Sequence, residues 1–141
     1  MKLVREHINE KFKEESDPVH DLGIGMEAML KNFKDMLYER GLISSSRDVL
    51  DNALLVYAAE YGELELVKYL VKEKYCDIHV ANEYPLRHAA FYNRYDVVEY
   101  LLSIGKFDLN MQYEQAIKWA EDAGHTRIVN LLYNYKKNKD K

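Results

Sequence analysis

Cysteine occurs once, tryptophan once and proline twice in these 141 residues, and each scarcity removes a class of structure. The single thiol, Cys76, has no internal partner for a disulfide, which points to a reducing, cytoplasmic setting. The amino-terminal stretch MKLVREHINEKFKEESD lacks the continuous apolar segment that a secretory signal requires. No apolar run approaches the ~18 residues that cross a bilayer, so no membrane-spanning helix and no membrane partner are expected. Nor does one sign of charge prevail, with 20 basic against 24 acidic side chains. Such a mixture gives no large field for capturing nucleic acid. The closing KKNKDK is basic, but no aromatic or helical scaffold organises it, and it reads as a solvated terminus.

Catalytic and metal-binding sets are missing as well. Cys76 and His79, in CDIH, have half the spacing of a zinc site, with His88 as a third candidate and no fourth nearby. Glu63 and Glu65 lie two apart, where helical residues face different ways and share no acid–base task. The GIG at 23–25 lacks the strand, the third glycine and the Lys of a phosphate cradle, so it reads as a turn. No nucleophile has an identifiable base. We therefore expect no enzyme, no metal and no cofactor.

What the chain does have is tyrosine, twelve copies of it, and a repeat. Tyrosine joins a large apolar body to a polar tip and suits partly buried positions and binding surfaces alike. Laying residues 53–79 over 84–110, at a shift of 31, pairs Leu55 with Leu86, Ala58 and Ala59 with Ala89 and Ala90, and Tyr61 with Tyr92. Further on, Val67, Tyr69, Leu70 and Asp77 meet Val98, Tyr100, Leu101 and Asp108. A third copy places Ile117, Ala120, Gly124, Ile128, Val129 and Leu132 in the frame of Leu86, Ala89, Asn93, Val97, Val98 and Leu101.

Each copy has the makings of a helical hairpin. Leu86, Ala89 and Ala90 give a thin apolar stripe on a short first helix, so another helix can approach closely. Gly62, Asn93 and Gly124 share the place after it, and these residue types accept a left-handed backbone at a helix end. A second helix then carries Val97, Val98, Leu101 and Leu102 on one face and stops near Gly105. One such hairpin cannot bury its apolar face alone, whereas stacked copies cover one another. An end copy then tolerates polar substitution, as at Glu121, which replaces the second alanine.

The segment YPLRHAAFYNRYDVVEYLLSIGKFDLN resembles the ankyrin repeat, in which a T-P-L-H-x-A-A helix start leads through a glycine turn and a second helix to a D-V-N ending. Pro85, Leu86, Ala89, Ala90, Val98, Leu101, Asp108 and Asn110 match that pattern. Tyr84 stands in the threonine's place, Arg87 in the histidine's with His88 one place late, and the connection from His79 to Tyr84 is shorter than the family's usual one. Short-linked, tyrosine-rich repeats of this style resemble those of large viruses, and EESDPVHDLGIG resembles a leader of small tailed-phage proteins. The resemblance implies an all-α fold, an ankyrin-type stack of helical hairpins, and a protein as partner, a host protein if the chain is viral.

The expected organisation is an N-terminal helix and leader at 1–22, a capping helix at 23–50, repeats at 51–82, 83–113 and 114–135, and a charged tail at 136–141. In MEAMLKNFKDMLYERG, Met26, Met29, Leu30, Phe33, Met36 and Leu37 share one side of the capping helix, which stops at Gly41. Ser45 and Asp48 have capping-box spacing for the next helix. Val4, Ile8 and Phe12 form a stripe that either folds back on the stack or docks on a partner. By the repeat frame, Glu60 and Tyr61, Phe91 and Tyr92, and Asp122 and Ala123 end the first helices, where the family presents contact residues, and Met111, Gln112 and Tyr113 fall in the loop between units two and three. Seven of these, Tyr61, Phe91, Tyr92, Met111, Gln112, Tyr113 and Asp122, are the expected partner-binding residues, with lateral packing on neighbouring repeats as the alternative for Phe91 and Tyr92. Trp119 reads as structural. A monomer is expected, with self-assembly of copies as the competing possibility.

Overall fold

The computed structural model describes residues 22–139. The Val4, Ile8 and Phe12 stripe and most of the leader lie outside the described residues, as do the last two of the tail. Among the described residues all regular structure is helical. The helices are α1 (Leu22–Glu39), α2 (Asp51–Glu60), α3 (Leu64–Glu73), α4 (Val80–Phe91), α5 (Tyr95–Ile104), α6 (Met111–Asp122) and α7 (Thr126–Lys139). They form three hairpins, α2–α3, α4–α5 and α6–α7. The first helices α2, α4 and α6 pack side by side in one layer, and α3, α5 and α7 in another. No described helix is long and apolar enough to cross a membrane.

The expected turn chemistry is what closes each hairpin. Gly62, Asn93 and Gly124 have φ of +72°, +63° and +79°, the left-handed conformation that Gly adopts freely and Asn tolerates. After each of them the chain folds back at once into α3, α5 or α7. Between the layers, Leu55, Ala58, Leu86, Ala89, Ala90, Ile117 and Ala120 from the first helices meet Leu66, Leu70, Val98, Leu101, Ile128 and Leu132 from the second, all within 2% of full burial. The alanines let the first helices approach one another, as the stripe required.

Helix α1 covers the open side of the first hairpin. Leu30, Phe33, Met36 and Leu37 are buried, and Met26 and Met29 pack partly against them. The Phe33 ring stands edge-on to Tyr61, centroids 6.1 Å apart. Glu27 then ties α1 to α3, accepting from Tyr69 Oη at 2.6 Å and Lys74 Nζ at 2.7 Å. Residues 23–25, read above as a turn, instead belong to α1: near a helix end glycine's backbone entropy costs little against the packing that follows. Ser45 does accept from the amides of Arg47 and Asp48. That structure is a free-standing turn, however, because α2 begins later at Asp51, after Leu50, with no side-chain cap.

The short connection into the second hairpin is built without strand. Ala81, Asn82 and Glu83 take φ of +53°, +57° and +67° in succession, a left-handed turn that reverses the chain in few residues. Regular helix resumes at Tyr84, and Pro85 falls in its first turn, where the missing N–H forfeits no hydrogen bond. His79 Nδ1 lies 2.8 Å from the Glu83 carboxylate and steadies the turn. Met111, Gln112 and Tyr113, expected in a loop, form the first turn of α6, because Asn110 caps it by accepting from the Tyr113 amide at 3.1 Å.

Candidate protein-contact face

Equivalent positions in successive first helices line up across the stack, and two such rows make the exposed face. Tyr57, His88 and Trp119 form one row; Glu60, Phe91 and Asp122, one helical turn on, form the other. His88, Phe91, Tyr92 and Trp119 together line a depression of about 230 Å³ whose walls are almost wholly aromatic. Its rings meet at steep angles. Phe91 stands at 87° to Tyr92 with centroids 4.9 Å apart, and at 71° to Trp119 at 6.0 Å. His88 stands at 63° to Trp119 at 6.2 Å. Edge-to-face pairs of this kind hold each other in place while leaving ring faces open.

Arg87 and Glu60 place charge beside these rings. Arg87 is 7% exposed, yet carries a charge. Its guanidinium lies 4.4 Å from the Tyr84 ring and 5.0 Å from the Trp119 ring, and Nη1 donates to Gln115. Ring faces thus replace much of the solvation that burial removes. Glu60 sits at the rim, 3.8 Å from His88 Nδ1. At that separation the contact is electrostatic rather than a hydrogen bond. His88 and the Tyr92 hydroxyl hold the Glu60 carboxyl below its ordinary range, overcoming partial burial. The Tyr92 phenol is pushed up by burial and by the same carboxylate. At neutral pH the rim is therefore an ionised Glu60 with a protonated Tyr92 beside it.

The backbone under the aromatic face is pinned in a repeating way. Arg94 Nε donates to the Glu60 carbonyl at 2.8 Å, and His125, the next repeat's equivalent, places Nε2 2.9 Å from the Phe91 carbonyl. A carbonyl only accepts, so His125 Nε2 carries the hydrogen.

These contacts sort the expected contact residues. Phe91 and Tyr92 are 43% and 37% exposed, and they converge on one depression. Met111 and Asp122 are exposed and Gln112 half-buried; none of the three lines it. Two of the seven are corrected. Tyr61 is buried because α1 lays Phe33 against it. Tyr113 is fully buried, its hydroxyl donating to the Leu132 carbonyl at 2.6 Å and its ring near Phe107 and Tyr135. The aromatic contacts thus form a cluster centred on α4 and α6, in which Trp119 both packs and lines the surface. Sequence reasoning puts Glu60 at a first-helix end without counting it among the contacts, and weighs Arg87 and His88 only against the repeat pattern and a zinc spacing. The row Tyr57–His88–Trp119, aromatic at every repeat and half-buried at each, reads as structural in sequence, whereas two of its three members line the depression.

The comparisons with known proteins agree with this architecture. The family model for ankyrin repeats (3 copies) matches residues 26–113 and again 55–141. The chain belongs to the ankyrin-repeat family. No curated protein and no solved structure matches it. Ankyrin repeats are protein–protein interaction modules, and the aromatic depression of this one lies on its first helices. Among the described residues, no three His, Cys, Asp or Glu side chains come together as a metal site would require. Cys76 is buried beside α3, its thiol pushed up to about 11 by desolvation, which suppresses the thiolate that nucleophilic chemistry uses.

Proposed function

We propose that this ankyrin-repeat chain is a non-enzymatic adaptor or inhibitor that grips a protein partner on the face formed by α4 and α6. The observation that carries this reading is the aromatic depression: four rings converge on it, and two of them, Phe91 and Tyr92, remain more than a third exposed. Interface energy concentrates in such rigid aromatic anchors, which lose little rotamer freedom on binding. Met111, Gln112 and Asp122, at the two ends of α6, extend the proposed contact surface along that helix. The tyrosine-rich, short-linked style of the repeats supports a viral or phage origin, and so a host protein as partner. The single buried cysteine supports action in the cytoplasm.

Affinity capture from the native or infected cell, with the parent chain and a Phe91→Ala, Tyr92→Ala double variant as baits, tests the reading. A partner recovered by the parent and lost by a helical, monomeric double variant is the expected result. Equal recovery by both moves the contact elsewhere. A native mass that is a multiple of 16.7 kDa and falls on substitution identifies the face with self-assembly instead.

A further inference from the structure

The depression is walled by aromatic rings, and an ionised carboxylate, Glu60, lies beside two of them, His88 and Tyr92; that combination selects its occupant. Resting on the preceding assignment of the face, we propose that the depression receives an arginine side chain of the partner, its guanidinium stacked on Phe91, Tyr92 and Trp119 and its N–H groups turned to Glu60. The repeat frame brackets Phe91 with acids, Glu60 one repeat before it and Asp122 one repeat after. Equivalent positions on neighbouring helices lie about 8–10 Å apart, so the two acids stand one helix spacing from Phe91 on opposite sides; Lys118 engages Asp122, and Glu60 is the carboxylate offered to the cation. Glu60 is partly buried, its side chain 17% exposed, where charge is screened less than in open water.

The nearby cations are already engaged. Arg94 directs Nε at a carbonyl, Lys118 lies 3.6 Å from Asp122, and Arg87 is spread over Tyr84 and Trp119. The chain itself solves the same problem twice, with Arg87 on two rings and Arg127 4.2 Å from the Tyr95 ring. Guanidinium suits such walls because it is planar and weakly hydrated, so a pocket offering one carboxylate and otherwise π-faces satisfies it, whereas an ammonium would lose more hydration. An uncharged apolar side chain would fit the walls but add nothing to what His88 and Tyr92 already give Glu60, whereas a carboxylate has acceptor positions left for a guanidinium.

The single tryptophan makes the test direct, since Trp119 gives one indole N–H resonance. The full chain, labelled with nitrogen-15, is titrated with the blocked tripeptide Gly-Arg-Gly, its citrulline counterpart, which keeps shape and loses charge, and its leucine counterpart. The arginine peptide is expected to shift the Trp119 indole and the Phe91 and Tyr92 amides saturably, with citrulline weaker by roughly two- to fivefold. Glu60→Gln is expected to bring arginine close to the citrulline affinity, while Asp96→Asn, on the second helix, leaves it unchanged. Citrulline or leucine binding as tightly as arginine, an unmoved indole, or equal losses in both variants overturns the assignment. The titration needs no partner, so a flat titration beside partner capture that depends on Phe91 and Tyr92 removes the arginine alone. Arginine binding beside capture indifferent to those residues overturns the contact face and, with it, the partner's arginine.

Discussion

Arg94 Nε lies 2.8 Å from the Glu60 carbonyl oxygen, and thereby fastens the turn of the second hairpin to the end of the first hairpin's leading helix. His125 repeats the arrangement on Phe91 one repeat later. A hydrogen bond from a charged donor contributes about 1.5–3 kcal/mol when shielded and less at a half-exposed site. Arg94→Ala is accordingly expected to cost about 1 kcal/mol, and His125→Ala about as much or less. Urea unfolding of the two variants checks this. A cost below the scatter of an exposed control such as Lys72→Ala would mean that packing alone sets the spacing of the hairpins.

The three turns share a conformation but not a neighbourhood. A Cβ added at Gly62 would come within 2.7 Å of Arg94 Cδ, whereas one added at Gly124 meets nothing within 4 Å. Gly124→Val therefore suffers only the left-handed backbone penalty, about 1–2 kcal/mol or somewhat more for a β-branched residue. Gly62→Val adds the displacement of Arg94 and its bond to Glu60, and is expected to be the worse of the two by about 1 kcal/mol. Asn93→Gly should fall within about 0.5 kcal/mol of the parent, since Asn already tolerates the region. Thermal midpoints of the three variants, ordered Asn93→Gly, Gly124→Val, Gly62→Val, are the check; a reversed order for the two valines would remove the Arg94 contact from the explanation.

Leu101 is fully buried at the centre of α5, with hairpins on both sides. Leu101→Ala leaves a cavity that neither neighbour can fill without moving and is expected to cost about 2–5 kcal/mol. In a stack of three units that is a large share of the total. If its melting temperature shifted no further than that of Lys72→Ala, the register of the second helices would be wrong.

The repeat was legible because its signals are local. Gly62, Asn93 and Gly124 announce left-handed turns whatever packs around them, and the Leu86, Ala89, Ala90 stripe specifies a thin interface by size alone. The contact face was legible only in part, because exposure depends on what the rest of the chain lays over a position. Tyr61 and Tyr92 are equivalent by sequence, but α1 covers one and not the other, and nothing near Tyr61 records that. Tyr113 looked like a loop residue until Asn110 proved to cap α6 just before it, which turns the ring inward to Leu132. Arg87 was hardest to place: a buried arginine reads as a surface residue until the two rings that shelter it, Tyr84 and Trp119, are brought together from different repeats.

Glu60 also gives the fold a pH dependence. Its carboxyl is held below the ordinary value of 4.5, first by His88. A depressed carboxylate contributes stability above its unfolded pKa and loses it as pH falls through the folded value. Glu60→Gln is therefore expected to be less stable than the parent at pH 7, with the difference shrinking as pH drops below about 4.5 and vanishing once both forms are uncharged there. Paired urea titrations at pH 7 and pH 3 measure it. A difference that grows on acidification would mean that the contacts with His88 and Tyr92 are not what Glu60 supplies.

Tyr92 and Trp119 line the same depression but differ in what lies behind them, so they separate binding from folding. Tyr92 projects from the end of α4, 37% exposed, touching His88 and Phe91 at its edge. Tyr92→Ala should cost little stability, about 1 kcal/mol or less, while removing an anchor of about 2 kcal/mol or more from partner affinity. Trp119 is the ring against which Arg87 is buried and Phe91 and His88 are packed. Trp119→Ala leaves that guanidinium with Tyr84 and Gln115 alone, and is expected to cost about 3–5 kcal/mol of stability together with the affinity. Trp119→Phe keeps a ring over Arg87 and should recover most of the stability. Circular dichroism melts and partner binding on the same preparations resolve the pair. A Tyr92→Ala protein that melts as low as Trp119→Ala would make the depression a packing feature of the stack rather than a surface kept open for a partner.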